Sequence, residues 1–148
     1  PVLKVSIIDL SIDTLREGRS LFLASLDVKG DTLMVLGTHL GLSAEERLQQ
    51  TREILLNLPE SQGLIVSGDF NFEPDSAPYK LMSQNLVDGI LAVDKSTRYT
   101  YPADEPERRI DYIFVGSDIQ TLRAPPVKSA HLSMASDHRP QVLVFRIN

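Results

Sequence analysis

Three observations predict an α/β fold built around a buried central strand. The first is the run Leu64-Ile65-Val66-Ser67-Gly68-Asp69-Phe70-Asn71, where an apolar stretch stops at a glycine and then offers a carboxylate and an amide. A continuous apolar run bounded by breakers suits a strand covered on both faces, and open α/β sheets bind ligands beyond the carboxyl ends of their strands. The second is a pair of strand-like runs, 21–28 and 32–39, around the hairpin signal Lys29-Gly30-Asp31. The third is an amphipathic helical stretch opening at Ser43. With 148 residues, 42% hydrophobic and 24% charged, the chain has the composition of one globular domain with a sizeable core. A formal charge of -5 argues against a broad surface that wraps nucleic acid, though not against a local basic patch. Zero cysteines exclude disulfides, thiolate metal sites and cysteine nucleophiles.

Taken in order, residues 1–12 alternate loosely through Val2, Leu3, Val5, Ile7, Ile8 and Leu10, which suits a strand or an extended entry segment. The strand 32–39 ends in Gly37-Thr38-His39-Leu40. Ser43 is a candidate N-cap with Glu46 as its capping-box partner. Leu48, Ile54, Leu55 and Leu58 form the apolar stripe of that helix, Arg47, Gln49, Gln50 and Arg52 lie on its wet side, and Pro59 ends it. If the central strand stays extended to its end, Asp69 and Asn71 share one face and Phe70 points the other way. Two oxygen donors so placed stand about 7 Å apart, at roughly 3.3 Å per residue, and can frame a phosphate and a hard cation.

Glu73-Pro74-Asp75-Ser76 then reads as a turn, 76–85 as a short helix with Tyr79, Leu81 and Met82 inward, and Asp88-Gly89 as a turn. Strands are expected at 97–101 and at 108–115, the latter with Asp111 embedded among strong strand formers. A carboxylate in that setting demands a partner, and Arg108 or Arg109 is the simplest one. Short strands at 119–122 and 127–130 and a terminal strand at 141–147, preceded by Ser136-Asp137-His138-Arg139-Pro140, complete the pattern.

Four stretches thus place polar or titratable groups at or within strands: His39, then Asp69 with Asn71, then Asp111, then Asp137 with His138. Oxygen ligands of this kind suit Mg²⁺ or Mn²⁺. An imidazole oriented by a carboxylate is a general base able to take a proton from water, and Asp111 is the natural orienter of His138. Arg98, Arg108 and Arg109 cluster nearby and offer a grip on phosphate. A serine-hydrolase reading fails for want of a Gly-x-Ser-x-Gly elbow, and a zinc-hydrolase reading for want of His-Glu-x-x-His.

Thr38-His39-Leu40, Gly68-Asp69-Phe70-Asn71, Arg109-Ile110-Asp111-Tyr112-Ile113 and Ser136-Asp137-His138 occur in an order and spacing that resemble the endonuclease/exonuclease/phosphatase superfamily. The resemblance implies a four-layer sandwich of two packed mixed β-sheets flanked by helices, and Mg²⁺-dependent (or Mn²⁺-dependent) hydrolysis of a phosphoester. It implies His138 as the base activating water, Asp111 as its partner, and Asp137 as a metal ligand. Asp69 would orient the water or contact the metal, while His39 and Asn71 would bind the scissile phosphate. The resemblance implies a phosphoester substrate, with nucleic acid, phospholipid and inositol phosphate all left open. The absence of any tryptophan lowers abasic-site repair, whose enzymes in this superfamily carry one before the Arg-x-Asp-Tyr stretch.

One departure stands out. The superfamily places an asparagine and a metal-binding glutamate well before Thr-His-Leu, yet 37 residues precede Thr38 here and Glu17 sits in a charged turn. The expectation is a single domain over 1–148 that forms roughly the last three fifths of a full one. Apolar sheet surface would then be left for the missing segment or a second chain to cover. The alternative function is a non-catalytic binding or scaffold module of the same fold. The expected compartment is cytoplasmic, with any signal lying upstream of Pro1.

Overall fold

Lys29 and Gly30 have φ of 59° and 99°, so the chain reverses in the tight, positive-φ turn that matches the twist of paired strands. It joins β2 (Ser20–Val28) to β3 (Asp31–His39), with β1 (Val2–Asp9) added antiparallel on the outer side. This computed structural model describes residues 1–91, 99–127 and 132–148. The remaining elements are α1 (Ala44–Leu56), β4 (Gly63–Asp69), α2 (Ala77–Ser83), β5 (Val87–Asp88), β6 (Asp111–Val115), β7 (Ile119–Arg123), α3 (Leu132–Ala135) and β8 (Val144–Ile147). Six strands form one mixed sheet in the order β1-β2-β3-β4-β6-β5, with β3 and β4 parallel and the other neighbours antiparallel. β7 and β8 pair antiparallel as a second, small sheet.

Strand alternation divides the core in two. On one face Leu36, Leu64, Val66, Tyr112 and Phe114 pack with Ile54 of α1 and Met82 of α2. On the other, Leu33, Ile65 and Val115 meet Ile119 of β7, with Phe145 and Ile147 of β8 against them. The described layers therefore run helices, large sheet, small sheet: the two packed sheets that the family resemblance implies, with α1 and α2 on the outer face of the large one. Phe70 stacks edge-on to Tyr112 and Phe114 at 5.8 and 5.4 Å between ring centroids, so the residue after β4 anchors the strand end from the helix side. β1 is exposed on both faces, with Ile7 70% accessible and Val2, Leu3 and Val5 also uncovered.

The Ser43–Glu46 capping box forms in full, contributing about 1 kcal/mol to the start of α1. Its buried face includes Ile54, with Leu55 and Leu58 half-buried against the core, but departs from the expected stripe in that Leu48 is half-buried and Gln50, expected on the wet side, is 1% accessible. The Gln50 amide accepts from the Gly41 N–H at 2.8 Å and donates to the Leu10 carbonyl at 3.2 Å, tying two loops to the helix. A buried amide is tolerated where loop backbone supplies its partners. The turn expected at Asp88-Gly89 forms at the end of β5, with the Leu91 N–H donating to the Asp88 carbonyl at 3.2 Å, but Asp88 is buried. The strand expected at 108–115 begins at Asp111 and that at 141–147 at Val144. Tyr101 makes a single bridge to Arg108. Residues 97, 98 and 128–130 of two expected strands, Arg98 among them, lie outside the described residues.

Candidate active site

The register of the large sheet assembles the site. His39 ends β3 directly beside Asp69 of β4, and Asp69 stands directly opposite Asp111 of β6. All three share the parity of Leu33, Ile65 and Val115, so they form one row across three strands on the face toward the small sheet. β3 and β4 approach closely at this row, where a Cβ on Gly68 would lie 1.9 Å from the Thr38 carbonyl oxygen, with φ at 151°. Glycine is required there by contact as well as by conformation.

His138 reaches the row from the segment between α3 and β8. Its Nδ1 lies 2.9 Å from Asp111 Oδ2 and its Nε2 3.8 Å from Asp69 Oδ2, while His39 Nε2 lies 3.3 Å from the same Asp69 oxygen. An ionised Asp111 accepts from Nδ1–H, which leaves Nε2 of the neutral ring as the basic nitrogen. The simple ion pair of Asp111 with a neighbouring arginine does not form. Arg108 pairs instead with Glu73 at 3.0 Å, and Arg109 with Asp88 at 2.6 Å.

The sequence reading also placed Arg109 on the phosphate. Its side chain is 4% accessible, with the guanidinium paired to Asp88 and stacked 4.6 Å from the Tyr112 ring centroid, so it supports the core beneath the site. Asn71 departs from the expected geometry as well. Its φ is 53°, so the strand stops at Asp69 and the two side chains do not stand in extended register. The Asn71 N–H donates to Asp69 Oδ1 at 2.9 Å, a local aspartate turn that fixes the Asp69 carboxylate, and the Asn71 side-chain amide donates to the Leu40 carbonyl at 2.9 Å.

Like charges directly opposite each other on neighbouring strands repel. Burial, and then the Asp111 charge, push the Asp69 carboxyl above its ordinary range, partly offset by the Asn71 N–H and by His39 and His138. For His138, burial favours the neutral ring, but the Asp111 hydrogen bond and the charges of Asp111, Asp69 and Asp137 outweigh it and raise the imidazole above its ordinary value. Ligand atoms of Asp69, Asp111 and His138 all lie within 4.8 Å of one another, close enough to hold one metal ion. Two hard oxygens facing each other with surplus negative charge fit a divalent cation. Asp137, the expected metal carboxylate, is not in this group; it is exposed, and its carbonyl accepts from the Ala103 N–H at 2.7 Å. The row opens into a cavity of about 500 Å³ lined by Ser67, Asp69, Asp111, Ser136 and His138. Sequence reasoning missed Tyr101, whose ring centroid lies 5.0 Å from that of His138, although an aromatic beside Thr100 in a Thr/Tyr-rich stretch was visible.

Acids and imidazoles gathered at the ends of adjacent strands, on a mixed sheet backed by a second sheet, define an α/β-sandwich protein with a polar cluster at that end of the sheet. The chain belongs to the endonuclease/exonuclease/phosphatase family, whose model matches residues 6–138. No curated protein matches its sequence. Among solved structures, an endonuclease/exonuclease/phosphatase from Bacteroides vulgatus is 22% identical with a TM-score of 0.84, all of this chain matching 66% of that one. A mannosyl-6-phosphatase from Bacteroides thetaiotaomicron is 18% identical over 99% of this chain and 67% of its own, with a TM-score of 0.82. The human Nocturnin catalytic domain, solved with a bound sulfate, is 23% identical over 100% of this chain and 60% of its own, with a TM-score of 0.79. These likenesses show the fold, and the chain spans about two thirds of the first structure's length.

Proposed function

We propose that this chain carries most of the active site of a metal-dependent phosphoesterase that hydrolyses a phosphodiester or phosphomonoester. The observation that carries the reading is the row of His39, Asp69 and Asp111 met by His138. In the reaction, His138 Nε2 takes a proton from water as the water oxygen attacks phosphorus. The phosphorus–oxygen ester bond breaks, and the leaving oxygen takes a proton from solvent. Asp111 keeps Nδ1 protonated and steadies the imidazolium, a division of labour that contributes about 10²–10⁴-fold in related acid–base catalysis. Asp69 orients the water, and His39, exposed beside it, contacts a phosphate oxygen.

The Asp69 and Asp111 carboxylates would hold Mg²⁺ or Mn²⁺, which would neutralise charge on the phosphate oxygens. Substrates of the kind named for the structural relatives, a sugar phosphate among them, are consistent with this chemistry. The test is Mg²⁺-dependent release of p-nitrophenol from bis(p-nitrophenyl) phosphate and p-nitrophenyl phosphate by the full-length protein and its His138→Ala variant. A loss of about 10²-fold or more is expected. Equal rates would point to a non-catalytic module.

A further inference from the structure

Between Tyr101 and β6 the chain does more than connect. Thr100 is fully buried and its Oγ1 accepts from the backbone N–H groups of Ile110 and Asp111 at 3.3 and 3.4 Å. Its carbonyl accepts from the Arg139 N–H at 2.7 Å, and the Ala103 N–H donates to the Asp137 carbonyl at 2.7 Å. The residues on both sides of His138 are therefore bonded to the same short segment that bonds the backbone of Asp111. The Arg139 side chain closes the arrangement, with Nε donating to the Ala103 carbonyl at 2.6 Å and Nη2 to the Asp104 carbonyl at 2.9 Å. The Tyr101 ring, carried between these bonds, lies against the His138 imidazole.

We propose that segment 100–104, latched by Arg139, sets the position of His138 relative to Asp111, making Arg139 and Thr100 positioning residues. A planar guanidinium can hold two successive carbonyls at once, which a lysine ammonium on its flexible stem cannot do with the same geometry. The catalytic consequence rests on the reading of His138 as the base; the placement of the ring does not. Small displacements of a positioned base are costly, so the loss belongs in kcat. A competing role for Arg139, attraction of an anionic substrate by charge, would appear in KM and be preserved by lysine.

The test compares full-length wild type with Arg139→Met, Arg139→Lys and Thr100→Val. Nuclear Overhauser contacts between the Tyr101 and His138 rings report the latch, contacts between the Phe70 and Phe114 rings report the fold, and kcat and KM on bis(p-nitrophenyl) phosphate report its consequence. Expected for both Arg139 variants are loss of the Tyr101–His138 contacts with the core contacts retained, and a fall of about 10-fold in kcat with KM within about two-fold. Thr100→Val is expected to fall in the same way. Retention of the ring contacts in Arg139→Met overturns the proposal, as does a rise in KM that Arg139→Lys reverses or an unchanged kcat after the contacts are lost. If wild type turns over no phosphoester while the contacts still depend on Arg139, the latch stands and the phosphoesterase reading falls.

Discussion

His138 shows how a single residue takes its chemistry from distant neighbours. Alone it is an imidazole near its ordinary range, at about 6.5; against Asp111 and Asp69 its charged form is favoured despite partial burial. A group whose folded pKa is raised contributes stability that is fully present below its unfolded value and is lost as pH rises through the folded one. The melting temperature of wild type measured in chelator should therefore exceed that of His138→Gln most at pH 5–6, about one unit below the ordinary imidazole value. The gap should narrow as pH rises beyond that value, and a gap independent of pH between 5 and 9, about the span of imidazole titration, would contradict the pairing. The motif that singled out His138 supplies only Asp137 among the three acids that raise it; Asp111 and Asp69 reach the ring through the fold.

At the scale of elements, a buried ion pair just before β6 ties it to the end of β5, in addition to the ladder between them. Arg109 just before the strand and Asp88 at the end of β5 are both nearly inaccessible, and the Tyr79 hydroxyl donates to the second oxygen of Asp88 at 2.9 Å. Removing one partner of such a pair leaves an uncompensated charge and costs about 3–5 kcal/mol. Arg109→Met should lower stability by that order in urea unfolding, and adding Asp88→Asn should recover part of it, since the amide removes the unpaired charge while its oxygen can still accept from a neighbouring donor. A double variant no more stable than the single would deny the coupling. Asp88-Gly89 reads as a turn in sequence because a carboxylate beside glycine has that local preference, and the turn forms; its burial was not legible, because the arginine that pairs Asp88 lies 21 positions along the chain. Gln50 read as wet for the same reason, its partners being loop backbone that helical periodicity does not describe.

For the molecule as a whole, six strands in mixed order bring three segments into one row and a fourth onto it, and the two central carboxylates repel until something positive joins them. Mg²⁺ at ten times its dissociation constant should stabilise the fold by about 1.4 kcal/mol, raising the melting temperature by about 3–5 °C. Asp69→Asn should abolish the rise, and a rise retained in that variant would place the ion elsewhere. Local pattern in the sequence determined the hairpin, the capped helix, the buried central strand and the residues worth watching, because period, caps and turn chemistry act between near neighbours. Strand parity alone also put Asp69 and Asp111 on defined faces once each strand was recognised. Tertiary structure decided which arginine met which acid, that Asn71 turned back onto Leu40 rather than out toward a phosphate, and that Asp137 stood outside the Asp69–Asp111–His138 group. Those outcomes depend on register and on loops crossing from far along the chain, and the free energy that selects them lies in burial and pairing that no short window of sequence contains.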